Sequence, residues 1–370
     1  MKQEKKFIYA CPWEKDRMTS WSGTHYAIYS RLKGDFQLMD FDYGIHSPYA
    51  FVNKLLHKCH FLSFSKMNQK IKGHFGEKID RKFDIDIPCL QFEELESKTK
   101  RNTFCYQDLS ILYLKYLKEN EKNIFDVSGF QFVDDMTMKD WCASQLEYYK
   151  NSNTTIFTMG HWLREYLIKK IGLPEQRVIY CGGGYNVDSN KIKPNRNGKT
   201  FLYVGKDYVR KNLPLIMEAF KLVHERDKET RLLIAGPKNF QINQDGVINK
   251  GLISFSEVSN LFNQSDVFVM PSLFEAYGLV FPEALTYGLP CIGRDAYEMP
   301  YFIQNGKTGY LLKNQNADEL ADLMMKALTN QEMRQEVERK KEFYLTEYSW
   351  DTVVDRMVET INSRGYSKVE

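Results

Sequence analysis

Two glutamates eight residues apart, Glu275 and Glu283, flank a glycine and the start of a helix within residues 274–284. The stretch follows an apolar run at 266–270 that closes on Pro271 and Ser272, and it leads into a short helix ending near Gly288 and Pro290. Gly278 permits a backbone conformation that a side chain would obstruct. Pro282 fits only a first helical turn, where its missing N–H costs nothing. The N–H groups of Gly278, Leu279 and Val280 would then face outward at a helix N-terminus, a seat for a diphosphate. Two carboxylates beside that seat repel phosphates unless they bind hydroxyls, and a carboxylate accepts well from a vicinal diol. One sugar on each side of a diphosphate meets both demands, which describes a nucleotide sugar.

A second charged element precedes a helix. The apolar run 201–205 is followed by Lys206, Asp207, Tyr208, Val209, Arg210, Lys211 and Asn212. A helix over 213–223 is then expected from the stripe of Leu215, Ala219, Leu222 and Val223. Cations at a helix N-terminus are electrostatically misplaced unless an anion sits there.

The elements that must position these residues alternate. Strands are expected at 201–205, 231–235, 247–248, 266–270, 291–292 and 310–312, with helices between them and at 317–328, 332–343 and 350–361. Such alternation indicates a parallel sheet, whose ligands sit at the carboxyl ends of the strands. At 370 residues the chain exceeds one hydrophobic core and suits two domains of about 150–200 residues. Its net charge of +3 is too small to indicate nucleic acid. Seven scattered cysteines without a C-x-x-C pair read as reduced thiols of a cytosolic protein. The apolar run 7–12 reads as a strand rather than a signal peptide, and no run reaches transmembrane length.

The spacing of Glu275 and Glu283 resembles the E-x7-E element of the retaining glycosyltransferases of family 4. The resemblance runs from about Thr155 to the helix at Trp350, more faintly over the first half. It implies an α/β chain of GT-B fold, two Rossmann-like doubly wound domains facing across a cleft. Residues 1–190 would form the acceptor-binding domain, with a closing helix at about 350–370 crossing back to it. Residues 191–349 would bind the nucleotide sugar. By the same resemblance Glu275 holds hydroxyls of the donor sugar, as a positioning group rather than a covalent nucleophile, and Glu283 holds the ribose. Lys206 and Lys211 grip the diphosphate; Lys206 stands where the family usually has Arg, so Arg210 is a candidate for the missing bidentate fork. Backbone around Ile253 would meet the base. The chain departs from the family at Tyr301, where relatives carry Glu after the proline. Retention of anomeric configuration is implied, with the leaving phosphate taking the acceptor's proton and no metal or cofactor required.

The N-terminal half offers fewer signals. Gly23, between Ser22 and Thr24, is the candidate for bringing backbone N–H groups to the donor phosphate, or it is an ordinary loop glycine; His25 beside it either contacts the phosphate or lies at the surface. Asp134 and Asp135, after an apolar run taken as a strand, either orient an acceptor hydroxyl or cap the next helix. His161 follows a strand-to-helix step, and Gly182, Gly183 and Gly184 suit a flexible joint. Residues 43–76 carry Lys54, Lys58, Lys66, Lys70 and Lys72 without an acid, interleaved with apolar residues. They read either as a basic amphipathic helix on an anionic membrane or as a solvated face. Asp84 and Asp86 spell D-x-D within an expected strand, and His57, Cys59 and His60 lack a fourth ligand; neither is taken as a metal site.

The expected activity is transfer of a sugar from a nucleotide sugar, UDP favoured over GDP, to a glycan or lipid-linked glycan in surface polysaccharide synthesis. The expected location is cytoplasmic, either free or in peripheral contact with the inner membrane face. The competing readings are a non-catalytic GT-B partner subunit and a sugar-nucleotide epimerase of the same fold.

Overall fold

A computed structural model describes residues 5–44, 64–95, 100–237 and 243–366, the side chains of 64–71 and of Phe255 excepted. The chain divides into two compact units. One holds residues 1–125, 130–183 and 350–370, and the other holds 126–129 and 184–349. The division thus falls inside the triple glycine and just before the last helix.

The first unit is built on a six-stranded parallel sheet in the order β2-β1-β3-β4-β5-β6. Its strands are β1 (Lys6–Cys11), β2 (Gln37–Asp42), β3 (Cys89–Gln91), β4 (Thr103–Gln107), β5 (Thr154–Thr158) and β6 (Val178–Tyr180). β4 and β5 are buried at every residue, as strands covered on both faces must be. Helix Trp350–Arg364 packs into this unit through Trp350, Val353, Val354, Met357 and Ile361, and Arg356 Nη1 donates to the Cys181 carbonyl at 3.1 Å.

The second unit carries a parallel sheet in the order β12-β11-β10-β7-β8-β9. Its strands are β7 (Thr200–Val204), β8 (Arg231–Ala235), β9 (Val247–Asn249), β10 (Val267–Val269), β11 (Cys291–Arg294) and β12 (Gly309–Leu312). Every strand expected from the sequence in this half is present. Helix Leu213–Arg226 buries Leu213, Ile216, Ala219, Phe220 and Val223, a spacing of three and four residues that presents one face to the sheet. Strand order reverses between β7 and β10, and in such sheets the crevice beyond the carboxyl ends at the reversal is where ligands bind.

Several expectations fail, each for a local reason. Residues 83–88 form a turn rather than a strand, because buried Arg101 gathers the carbonyls of Phe83, Asp84 and Ile87. The apolar residues before Asp134 are not a strand either: Ile124 and Phe125 end the short helix Lys122–Phe125, and Gly129 at φ 90° turns the chain. The helix expected over 332–343 breaks at Lys340 into Gln331–Arg339 and Lys341–Glu347. In the basic stretch, 45–63 lies outside the described residues. Lys72, in helix Phe64–Lys82, is not a surface cation: it lies 2.9 Å from Glu94 and 3.8 Å from Glu93. Among the described residues no helix is long and apolar enough to cross a membrane.

Candidate active site

Within the second unit, the loops after β7 and β10 meet at the point where strand order reverses. They are stitched together by backbone and side chain. Leu273 N donates to the Arg210 carbonyl at 2.9 Å, and Arg210 Nη1 returns a bond to the Phe274 carbonyl at 2.9 Å. Asn212, left-handed at φ 60°, donates from Nδ2 to the Pro271 carbonyl at 3.2 Å and to Gln315 at 2.5 Å. Asn is among the few non-glycine residues that adopt this conformation readily.

The stitching fixes Glu275 between two cations. Lys211 Nζ lies 3.0 Å from Glu275 Oε2, and Arg210 Nη1 lies 3.3 Å from Oε1. Burial alone would push the Glu275 carboxyl up, but Lys211 and Arg210 outweigh it and hold the group below the usual carboxylate range. Arg210 is steadied in turn by Asp207, 3.4 Å away. Gly205 makes room for Lys211: a Cβ there would overlap the Lys211 Cδ.

Glu283 has the opposite environment. Helix Val280–Thr286 begins where the sequence indicates, after Gly278 at φ 95° and with Leu279 at the cap. Its first turn places Pro282 and Glu283 in the interior. Glu283 Oε1 accepts one backbone bond, from Asn186 N at 3.1 Å. Burial pushes its carboxyl up to about 7, with only partial offset from that N–H and from Lys211. Lys211 therefore acts on both carboxylates, bonded to one and electrostatically felt by the other.

The other residues singled out from sequence fall in different places. Lys206 is exposed at the start of the β7 loop, so the charge beside Glu275 comes from Arg210 and Lys211. Ile253 is half-buried in the turn after β9, at the same carboxyl edge but two strands from the reversal. Tyr301 is exposed in helix Met299–Phe302. Asn186 and Asn212 were not singled out. A lysine followed by an asparagine at a helix start hints at Asn212, whereas nothing local marks Asn186, whose partner lies 97 residues on.

Gly23 and Asp134 belong to the first unit. Asp134 is exposed and caps helix Asp135–Lys150; Oδ1 accepts from Thr137 N and Oδ2 from Thr137 Oγ1, both at 2.8 Å. Those bonds hold its carboxyl below the usual range. Gly23 caps helix Thr24–Leu32 at φ 89°, preceded by Trp21 and Ser22 at φ 47° and 57°, a strained run for side-chain-bearing residues. His25 is buried rather than at the surface. Its Nδ1 lies 2.7 Å from Ser20 Oγ, and burial lowers its pKa to about 3, so the ring stays neutral. His161 stacks on Tyr180 with centroids 3.6 Å apart. Among the described residues no group of three or more His, Cys, Asp or Glu could hold a metal ion.

This arrangement can hold an anion against fixed cations and hydroxyls against two carboxylates. Residues 186–342 match the family described as glycosyl transferases group 1. A phosphatidyl-myo-inositol mannosyltransferase of Mycobacterium leprae is 26% identical over 210 residues, 52% of this chain and 56% of that protein. The N-acetyl-alpha-D-glucosaminyl L-malate synthase of Bacillus anthracis is 32% identical over 157 residues, 40% of each chain. The chain thus spans about half the length of the curated relatives it matches. Among solved structures, a glycosyltransferase from Rickettsia africae superposes with a TM-score of 0.64 at 13% identity, covering 98% of this chain and 100% of the other. That likeness establishes the fold, two doubly wound domains of GT-B type.

Proposed function

We propose that this protein, whose residues 186–342 match the family described as glycosyl transferases group 1, is a retaining glycosyltransferase, metal-independent, using a nucleotide sugar as donor. UDP-sugars are the favoured class and GDP-sugars the next, with a glycan or lipid-linked glycan as acceptor. The observation that carries the reading is Glu275, a buried carboxylate held between Lys211 and Arg210 where the strand order reverses.

The chemistry follows from charge. Breaking the bond from the anomeric carbon to the diphosphate leaves negative charge on the departing oxygen. Lys211 and Arg210 neutralise it, with exposed Lys206 as a further cation; fixed charges in a partly dry site act strongly because they need no reorganisation. Glu275 then orients the sugar through its hydroxyls, and Glu283 accepts from the ribose diol. The departing phosphate oxygen receives the acceptor's proton, so no strong protein base is needed on that face.

A panel of UDP-, GDP- and ADP-sugars tests this, comparing wild type with Glu283→Ala. One donor class should bind and release its sugar slowly, with both properties lost in the variant; with acceptor supplied, the product should keep the donor's anomeric configuration by NMR. Wild-type protein that binds none of the panel would defeat the proposal, and an inverted product would defeat its stereochemistry.

A further inference from the structure

The apolar strand β7 carries one hydroxyl that has no use within the fold. Tyr203 is fully buried, yet its Oη has no hydrogen-bond partner. Buried polar groups are nearly always paired, and an unpaired one is destabilising, so phenylalanine would fill this position at lower cost.

The hydroxyl is placed at the candidate site. Tyr203, near the end of β7, and Gly205, just past it, are two residues apart and face the same side. A Cβ on Gly205 would lie 2.9 Å from Tyr203 Oη and would overlap the Lys211 stem. The phenol tip and the lysine stem therefore lie over the same glycine. Burial, then the charge of Asp207, pushes the phenol's pKa up; Arg210 pulls it down and Glu275 adds to the rise. The group is a neutral donor throughout the physiological range, surrounded by the charged residues of the site. Both nearby carboxylates are already served, Asp207 by Arg210 and Glu275 by Lys211 and Arg210.

We propose that the Tyr203 hydroxyl is a further donor-site group, which hydrogen-bonds an oxygen of the terminal phosphate of a nucleoside diphosphate seated beside Lys211. The inference rests on the nucleotide-sugar reading above. An anion at the site draws the Lys211 ammonium towards itself, and the stem then uncovers the hydroxyl beneath. A donor unpaired in the free protein becomes paired in the complex, so its cost falls on the free state alone.

The test is calorimetric titration of wild type and Tyr203→Phe with UDP, GDP and ADP and with the corresponding monophosphates, plus thermal unfolding of both free proteins. The Kd for the bound diphosphate should rise at least about tenfold in the variant, the loss of one hydrogen bond to a charged phosphate oxygen. Monophosphate affinity should be unchanged, and the free variant should melt at the same temperature or higher. Equal diphosphate affinity in the two proteins overturns this inference alone. Wild-type protein without affinity for any nucleoside diphosphate overturns the donor reading and this inference with it.

Discussion

The two sheets share a parallel six-stranded plan, but the residues at their carboxyl edges differ in kind. At the edge of the second sheet, Glu275 is paired with Lys211 and Arg210, and Glu283 is buried with a carboxyl that titrates near 7. At the edge of the first, where β1 and β3 adjoin, the loops bring together aromatic rings. Trp21 lies 5.2 Å from His25, His25 lies 4.4 Å from Phe92, and Phe92 lies 6.2 Å from Tyr106. The charge there is enclosed in a closed network. Lys72 pairs with Glu94, whose Oε1 also accepts from Gln107 at 2.6 Å and Gln145 at 2.5 Å. One edge thus keeps charge in tension and the other keeps it satisfied. A network with every member paired rigidifies its surroundings, whereas a carboxylate in an unfavourable place is retained for what it binds.

Breaking the charge cluster of the second unit should have the largest effect. Lys211→Ala removes the cation felt by both glutamates, and turnover with the preferred donor should fall by about 10²–10³, the range for losing one preorganised electrostatic group. Steady-state rates on the folded variant check this, and a loss below about fivefold would shift the role to Arg210 or Lys206.

Breaking the pair in the first unit should instead lower stability. Lys72→Met leaves Glu94 without its cation and should lower unfolding free energy by about 2–3 kcal/mol. That is short of the roughly 3–5 kcal/mol for a fully buried pair, because 20% of the Lys72 side chain and 13% of that of Glu94 stay exposed. Adding Glu94→Gln should restore most of the loss. Nucleotide affinity per folded molecule should be unchanged throughout, as read by urea unfolding and titration.

The smallest effect sharpens the comparison, because the two carboxylates respond to pH with opposite sign. Burial pushes Glu94 up, but the charge and hydrogen bond of Lys72 and a bond from Gln145 hold it at about 2. The native state then binds fewer protons than the unfolded one, so its contribution is complete above the ordinary carboxylate range and fades as pH falls towards 2. Glu283, raised to about 7, binds more protons when folded. Its contribution is complete below the ordinary carboxylate pKa and fades as pH rises towards 7. Unfolding free energy across pH should therefore lose part of its acid slope in Glu94→Gln and part of its near-neutral slope in Glu283→Gln. Exchanged slopes would show that the environments are assigned to the wrong residues.

How much of this was legible in the sequence depends on distance along the chain. Strands β7 to β12 could be read because each is a local apolar run, and the 206–212 loop because cations stood where a helix N-terminus disfavours them. The choice of Arg210 over Lys206 as the second cation needed the backbone stitching between loops 64 residues apart. Asn186 serving Glu283 and Lys72 serving Glu94 are likewise tertiary pairings with no local trace. The D-x-D stretch alternates like a strand, yet one buried arginine recruits its carbonyls and bends it into a turn. Tyr203 is marked locally by a polar tip among the apolar residues of β7, but only the fold shows that the tip has no partner.

The most direct test of the central claim is calorimetric titration of the free protein with UDP and GDP, wild type against Lys211→Ala. The account predicts saturable one-site binding of one of them to wild type, weakened at least tenfold in the variant, with no change in the fold by circular dichroism. Equal binding to both proteins, or no binding of either nucleotide to wild type, would contradict it.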